Sequence, residues 1–447
     1  MAIVLAAITK YLITAMCIVY TISCITVLRA KTAEKRRILI ERQQFCMFAF
    51  HFAAYLILLM QTKTINVAVF YLCQFLFFKV AIWLYEHLYK KCSLALMNHM
   101  FFLLSVGFVM LSRISFDLAI RQFVIVAVAY VVSLVVPVCM EKITWFSNLG
   151  YLYGVVGLLF LSMVFIIGSE KNGSTNWITI GNSFALQPSE FVKILFVFFL
   201  AAMYSKARDF KQVAIVSVIA GIHVLILVLE KDLGAALLYF TVYIVVSYVA
   251  TGRMIYFCGG LLAGGAAGTV AYFLFAHVRN RIVAWQNPWD VIETAGYQVA
   301  QSLFAIGTGS WSGVGLTMGR PGDIPVVESD FIFSAIAEEL GLVFAILLIF
   351  ICLMVFMLFL NVALGQNQPF YKLIGIGLGT SYIFQVFLNI GGVTKFIPST
   401  GVTLPFVSYG GSSIASSFLI MGIMQGIYLL GKKEEVEMDE ENQYEEY

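Results

Sequence analysis

Long apolar runs alternate with short polar segments along almost the whole chain. A membrane-spanning helix needs about 20 mostly apolar residues, and about thirteen runs of that kind precede a charged C-terminal tail. The runs lie near residues 11–28, 44–61, 65–85, 96–112, 122–139, 147–168, 188–204, 213–229, 233–250, 254–276, 331–360, 371–390 and 410–430. This pattern predicts an all-α polytopic membrane protein.

Composition excludes several other classes of protein. The chain is 61% hydrophobic and 12% charged, whereas a soluble domain carries roughly 25% charged residues. A soluble enzyme and a disordered chain are therefore excluded. The net charge of +3, without a basic stripe, argues against nucleic acid as a partner. Neither the scattered cysteines nor the widely spaced histidines indicate a metal site.

The distribution of Lys and Arg predicts the orientation in the membrane. Segment 29–42 holds six of these residues, which favours the cytoplasmic side. Alternation from there places the N-terminus outside, loop 277–330 outside and the acidic tail 432–447 in the cytoplasm. Arg113 and Arg121 fall on the outer side and count against this scheme.

Charged residues at the start of one predicted span form the first candidate site. Pro188 suits the first turn of a helix, and Glu190 and Lys193, three positions apart, share one face of it. Charged groups inside a span are costly and usually face a cavity or another helix. Two interpretations stay open: the pair lines a substrate cavity, or it is an ion pair that serves packing alone.

A charged break between two apolar runs, Glu230 to Gly234, is the second candidate. Asp232 in this break is either the N-cap of the following helix or a functional acid. The sequence leaves both readings open.

The third and fourth candidates lie toward the C-terminus. Loop 277–330 is the longest polar stretch before the tail, and long ordered loops usually carry function. Asp330 lies where this loop re-enters the membrane, so partial desolvation would raise its pKa toward the range of a general base. Segment 398–413 is dense in turn formers and hydroxyls, which is typical of a re-entrant, substrate-lining segment.

Taken together and in order, these stretches resemble the SEDS family (shape, elongation, division and sporulation), which includes FtsW, RodA and SpoVE. The resemblance covers roughly residues 95–431, about ten spans, and leaves about three extra spans in residues 1–94. The motifs that carry it are Gln187-Pro188-Ser189-Glu190, Asp232-Leu233-Gly234, Gly296-Tyr297-Gln298 with Gln301-Ser302, Asp330-Phe331-Ile332-Phe333, Glu338-Glu339-Leu340-Gly341 and Pro405-Phe406-Val407-Ser408-Tyr409-Gly410-Gly411-Ser412-Ser413.

The resemblance implies a peptidoglycan glycosyltransferase in the bacterial cytoplasmic membrane. Such an enzyme polymerises lipid II into glycan strands on the outer face, for cell division, elongation or sporulation, together with a class B penicillin-binding protein. By position, Asp330 becomes the essential acid of the outer loop and Trp177 the outer-loop tryptophan. Glu190 and Lys193 are placed in the central cavity.

The chain departs from the family pattern at three places beside these motifs. The departures are Thr175-Asn176 where an Arg often precedes the tryptophan, Glu230-Lys231 where Gln-Pro is usual, and Glu328-Ser329 where His-Thr precedes the acid. They affect contacts to substrate, but the Asp330 carboxylate is kept.

Glycosyl transfer needs a base on the acceptor hydroxyl and positive charge on the leaving diphosphate. Asp330 is the expected base. The expected substrate-binding residues are Trp177, Glu190, Lys193, Asp232, Arg279, Arg281, Arg320, Lys395, Ser408 and Tyr409; of these, Arg281, Arg279, Lys193, Arg320 and Lys395 are candidates for the diphosphate. A divalent cation, Mg²⁺ or Mn²⁺, could share that role, although no ligand cluster in the sequence demands one.

Two other functions compete with this interpretation. A lipid II flippase also needs a polar cavity, but it needs access from the cytoplasmic leaflet and no general base. A noncatalytic scaffold for division proteins would leave Asp330 replaceable.

Overall fold

A computed structural model describes residues 2–171, 174–180, 184–206 and 209–445; the last two residues of the predicted tail lie outside this range. The helices are α1 (Ala2–Leu28), α2 (Ala33–Thr62), α3 (Ile65–Leu88), α4 (Leu94–Ile114), α5 (Phe116–Ser133), α6 (Val136–Lys142), α7 (Gly150–Ser162), α8 (Val164–Ile167), α9 (Pro188–Tyr204), α10 (Phe210–Leu229), α11 (Leu233–Thr251), α12 (Met254–Leu274), α13 (Ala276–Gln286), α14 (Tyr297–Gly309), α15 (Ile332–Leu364), α16 (Pro369–Val393) and α17 (Gly411–Glu445). The predicted all-α architecture is confirmed.

Within the described residues, 12 helical segments are long and apolar enough to cross a membrane, so the chain is a multi-pass membrane protein. Twelve of the thirteen predicted spans correspond to these segments. The thirteenth, residues 188–204, forms α9, whose 17 residues lie at the lower limit of a span. An outside N-terminus with an inside C-terminus requires that α9 also crosses, and this orientation stays a prediction.

A small antiparallel sheet, which the sequence analysis did not predict, precedes α9. Its strands β1 (Ser169–Lys171), β2 (Ser174–Ile180) and β3 (Phe184–Leu186) lie in the order β1-β2-β3. The pairing of Ile178 with Leu186 fixes the β2–β3 register. The alternating Thr and Ile residues of β2 favour an extended backbone.

The chain forms two compact units, which we describe separately. The first comprises Met1–Ala127, Arg281–Val355 and Val386–Gly410, and the second Val128–Asn280, Phe356–Gln385 and Gly411–Tyr447. In the first unit, α4 is buried along most of its length. In the second, α9 packs against α7, where Gly150 and Gly154 leave room for side chains of α9, as small residues do in packed membrane helices.

Helix α15 is broken near its start, at Gly341, where φ is 90° and ψ is 165°. Backbone groups freed by such a break must be satisfied inside the membrane, and residues 310–315, which we call the plug, provide the partners. The hydrogen bonds run from Leu342 and Val343 N–H to the Ser310 and Trp311 carbonyls (2.9 and 3.2 Å), and from Val314 and Gly315 N–H to the Glu338 and Glu339 carbonyls (3.0 and 2.9 Å).

Candidate active site

Asp330 ends the long loop of the first unit, two residues before α15 begins. Its backbone is held by Asn389 of α16, whose Nδ2 donates to the Asp330 carbonyl (2.9 Å) and to the Val402 carbonyl (2.7 Å). Asn389 is buried, and these two bonds join Asp330 to segment 398–413. The end of the loop and this segment, which the sequence predicted as separate candidates, therefore form one site.

The Asp330 carboxylate and the Arg281 guanidinium approach the same glycine. A Cβ atom at Gly401 would lie 3.6 Å from Asp330 Oδ2 and 3.8 Å from Arg281 Nη2, and the φ of Gly401 is +73°. A side chain there would require a strained backbone and would fill the space beside the Asp330 carboxylate and the Arg281 guanidinium. Glycine thus leaves room for a ligand atom beside both charges.

Burial is the main cause that raises the pKa of Asp330 above its ordinary value. Desolvation disfavours the charged carboxylate, and the neighbouring Glu328 adds to this effect. A hydrogen bond with Ser329 and the positive charge of Arg281 act in the opposite direction, but the pKa stays raised. The direction is the one expected for the end of the loop.

Helix α13 presents the predicted cations of this region. Arg281 Nη1 donates to the Ser399 carbonyl at 3.0 Å, and Trp285 Nε1 donates to the Lys395 carbonyl at 3.1 Å. Arg281 is half-buried, whereas Arg279 on the same helix is exposed. The structure therefore brings Arg281 near Asp330 and places Lys395, which follows α16, against Trp285 of α13.

Ser408 and Tyr409, predicted as substrate residues, hold the backbone beside Asp330. Ser408 Oγ donates to the Ser329 carbonyl at 2.5 Å, and Tyr409 N–H donates to the Glu328 carbonyl at 2.8 Å. Gln122 of α5, which sequence reasoning missed, donates to the Ser408 carbonyl at 3.0 Å. Buried hydrogen bonds of this kind fix the position of the loop end.

Arg320 follows the plug in the chain, and its contacts differ from those of Arg281. Its side chain is exposed, and its backbone N–H donates to Glu338 Oε1 at 3.0 Å. The structure thus assigns its backbone to the packing of the loop on α15.

In the second unit, Glu190 and Lys193 form the ion pair that their spacing predicts. Lys193 Nζ lies 2.5 Å from Glu190 Oε2, with side chains 4% and 13% exposed respectively. Lys193 also donates to Gln385 Oε1 at 3.0 Å, and Ser416 Oγ donates to Glu190 Oε2 at 2.8 Å. Each charge therefore has a neutral partner in addition to the other charge.

Asp232 is the N-cap of α11, so the capping interpretation is confirmed. Its Oδ1 accepts from the Ala235 N–H at 3.0 Å. Its Oδ2 accepts from Asn176 Nδ2 (2.7 Å), Gln187 Nε2 (3.0 Å) and Ser189 Oγ (3.3 Å). Asn176 belongs to β2, so this carboxylate also anchors the sheet that carries the half-buried Trp177.

Glu230 lies in the short break between α10 and α11, two residues before Asp232. It is buried, its carbonyl accepts from the Thr175 N–H at 3.2 Å, and its Oε1 has no hydrogen-bond partner. Burial, with a contribution from Asp232, raises the pKa of Glu230 to about 8.

The part of the chain that the structure describes contains no group of three or more His, Cys, Asp or Glu side chains able to hold a metal ion. A divalent cation therefore stays an untested expectation.

Comparison with known proteins places these residues in a family. The model of the FtsW/RodA/SpoVE family of cell cycle proteins matches residues 86–430. Peptidoglycan glycosyltransferase RodA of Mycobacterium tuberculosis is 37% identical in an alignment of 307 residues that covers 63% of this chain; the chain spans 64% of the length of that relative. A probable peptidoglycan glycosyltransferase FtsW of Pseudoalteromonas translucida is 32% identical over 74% of this chain and 86% of its own.

A solved structure shows the same fold. It is a chain of a peptidoglycan synthase complex, with a TM-score of 0.64 and 24% identity, covering 77% of this chain and 98% of that one. The matched residues include both candidate sites and begin after α1, α2 and most of α3. The chain therefore belongs to the FtsW/RodA/SpoVE family.

Proposed function

We propose that this protein is a peptidoglycan glycosyltransferase that polymerises lipid II into glycan strands on the outer face of the cytoplasmic membrane. Family membership and the names of the RodA and FtsW relatives support the reaction class. Since the chain spans 64% of the length of the mycobacterial relative, the activity must also be argued from the site itself.

The observation that carries the proposal is that the Asp330 carboxylate and the Arg281 guanidinium both approach Gly401. The acceptor hydroxyl of one lipid-linked sugar attacks the anomeric carbon of the other and transfers its proton to Asp330. A new C–O bond forms, the C–O bond to the diphosphate breaks, and the configuration at the anomeric carbon inverts. The raised pKa of Asp330 makes it a better base near neutral pH than an ordinary aspartate.

Arg281 supplies the positive charge that the leaving diphosphate requires. Arginine presents planar, paired N–H donors that match phosphate oxygens. One of the five N–H donors of Arg281 binds the Ser399 carbonyl, which orients the guanidinium. Its charge also favours the ionised form of Asp330 before the reaction. A single arginine thus prepares the base and receives the leaving group.

Two further components belong to the proposal. A divalent cation, Mg²⁺ or Mn²⁺, would add positive charge at the diphosphate; treatment with EDTA followed by readdition of each metal tests this. A class B penicillin-binding protein would crosslink the strands, as is consistent with a structural neighbour from a peptidoglycan synthase complex. Co-purification with the transpeptidase of the same organism tests the partner.

The direct test is polymerisation by the purified protein in detergent micelles containing lipid II. Micelles have no leaflets, so a glycosyltransferase makes glycan strands there, whereas a flippase has nothing to transport. Strands resolved on a gel support the proposal. An inactive wild-type protein that instead moves lipid II across a vesicle bilayer would contradict it.

A further inference from the structure

The N-terminal helix α1 contacts the plug of the outer loop. Lys10 Nζ donates to the Gly313 carbonyl at 2.9 Å and to Ser312 Oγ at 3.3 Å. Residue 10 lies outside the family match, which begins at residue 86. We propose that Lys10 is a positioning residue: through it, α1 clamps the plug and thereby fixes the start of α15 and the adjacent Asp330.

The plug has a backbone that needs external support. Ser310, Gly313 and Gly315 have φ values of 49°, 76° and 110°, and positive φ is costly for a serine. On its inner side the plug lies directly on the break in α15: a Cβ atom at Gly341 would be 2.3 Å from the Gly313 nitrogen. Lys10 binds the same glycine through its carbonyl, so Gly313 is held from α15 and from α1.

The residues after the plug have their own anchor inside the family match. Glu339 accepts hydrogen bonds from the backbone N–H groups of Thr317 and Gly319 (3.1 and 3.2 Å). Arg113 of α4 donates to Glu339 Oε1 and to the Gly319 carbonyl, both at 3.1 Å. The loop therefore has one anchor from α4 and a second anchor, Lys10, from the N-terminal extension.

Helix α1 is itself firmly attached, which a clamp requires. Tyr20 of α1 makes a 2.9 Å hydrogen bond with His99 Nδ1 of α4 and stacks on Phe102 at a centroid distance of 4.2 Å. On α2, Tyr55 makes a 2.7 Å hydrogen bond with Ser112, next to the anchoring Arg113. Tyr20 and His99 are buried, so this contact attaches α1 to α4.

The start of α15 would transmit a displacement of the plug to Asp330. The segment between Asp330 and the break at Gly341 is one short helical piece, about 13 Å long at 1.5 Å per residue. Glu338 and Glu339, at its far end, bind the plug through their carbonyls. Because misplacing a catalytic group by about 1 Å can cost about 100-fold in rate, a looser plug should lower turnover.

The test compares Lys10→Met, Lys10→Arg and the control Lys63→Met, each in full-length protein. Lys63 is an exposed lysine at the end of α2. Hydrogen exchange of peptides covering 310–315 and 341–344 reports the plug, and steady-state lipid II polymerisation reports turnover. For Lys10→Met we expect exchange to accelerate and kcat to fall by about 3- to 10-fold each, the size of one ordinary hydrogen bond that is partly exposed to solvent. KM should stay within about twofold.

Wild-type exchange and kcat in both Lys10→Arg and Lys63→Met would support the clamp. The effect of Lys10→Met would then come from loss of the donor at position 10. Unchanged exchange in Lys10→Met overturns the proposal. Accelerated exchange with unchanged kcat also overturns it, since the plug would then not position Asp330. The turnover arm rests on the proposed function, but the exchange arm does not: inactivity of the wild-type protein would contradict the function alone, and exchange would still test the clamp.

Discussion

Asp330 and Asp232 both precede a helix, yet their carboxylates have different surroundings. One carboxylate oxygen of Asp232 caps α11, and the other accepts hydrogen bonds from three side chains. Asp330 interacts with Ser329 and Arg281, and its pKa is raised by burial. A carboxylate whose lone pairs are occupied stabilises structure, whereas a desolvated one with few donors is available to take a proton.

The largest expected effect comes from removing the base. Asp330→Asn keeps the shape of the side chain but cannot accept the proton, so polymerisation should fall by about 10²–10⁴-fold. Protein level and binding to the transpeptidase should not change. Asp290→Asn is the matched control, because it makes the same change at an exposed acid of the same loop and should retain activity within about twofold. Near-normal polymerisation by purified Asp330→Asn would refute the assignment.

Breaking the Glu190–Lys193 pair should give the next largest effect, on stability. Glu190→Ala leaves the Lys193 ammonium buried without its counter-ion, which costs about 3–5 kcal/mol. The yield and thermal stability of the folded protein measure the loss. Replacing both with Leu and Met should restore the folded protein but not activity. If activity returns as well, the pair serves packing only, as Asp232 serves capping.

The sequence predicted the apolar architecture better than the contacts of polar groups. Hydropathy located the spans, because each is a local property of about 20 residues. It did not reveal the break at Gly341, which lies inside the predicted span 331–360, because the hydrogen bonds that compensate it come from the distant plug. The strands β1 and β3, each three residues long, are also too short to give a pattern.

The same limit applies to the candidate sites. The spacing of Glu190 and Lys193 predicted their pairing because both lie on one helix. The two readings of Asp232 could not be separated, since Asn176 and Gln187 are 56 and 45 positions away along the chain. Ser408 fits the family motif, but its bond to Ser329 spans 79 positions. Sequence therefore identifies chemically capable residues, and tertiary structure decides which donors surround them.

Removing the cap should have a smaller effect on stability than breaking the ion pair. Asp232→Ala loses the N-cap, worth about 1 kcal/mol. It also removes the acceptor of the amide donors of buried Asn176 and half-buried Gln187, at a cost of about 1–3 kcal/mol. A lower midpoint of thermal unfolding is the expected result, with activity falling in proportion to the folded fraction. A normal midpoint together with abolished polymerisation would mean that Asp232 acts in the reaction, as Asp330 does, and would contradict its purely structural role.

The smallest expected effect is a displacement of the pH profile by the neighbours of Asp330. The base must be ionised to accept a proton, so kcat/KM falls as the pH drops through its pKa, at a higher pH than for an ordinary aspartate. Glu328 raises this pKa and Arg281 lowers it. Glu328→Gln should therefore move the acid limb to lower pH and Arg281→Gln to higher pH, whereas Arg281→Lys, which keeps the charge, should leave it nearly in place. If the two neutral variants moved the limb in the same direction, or left it unchanged, the limb would belong to a group other than Asp330.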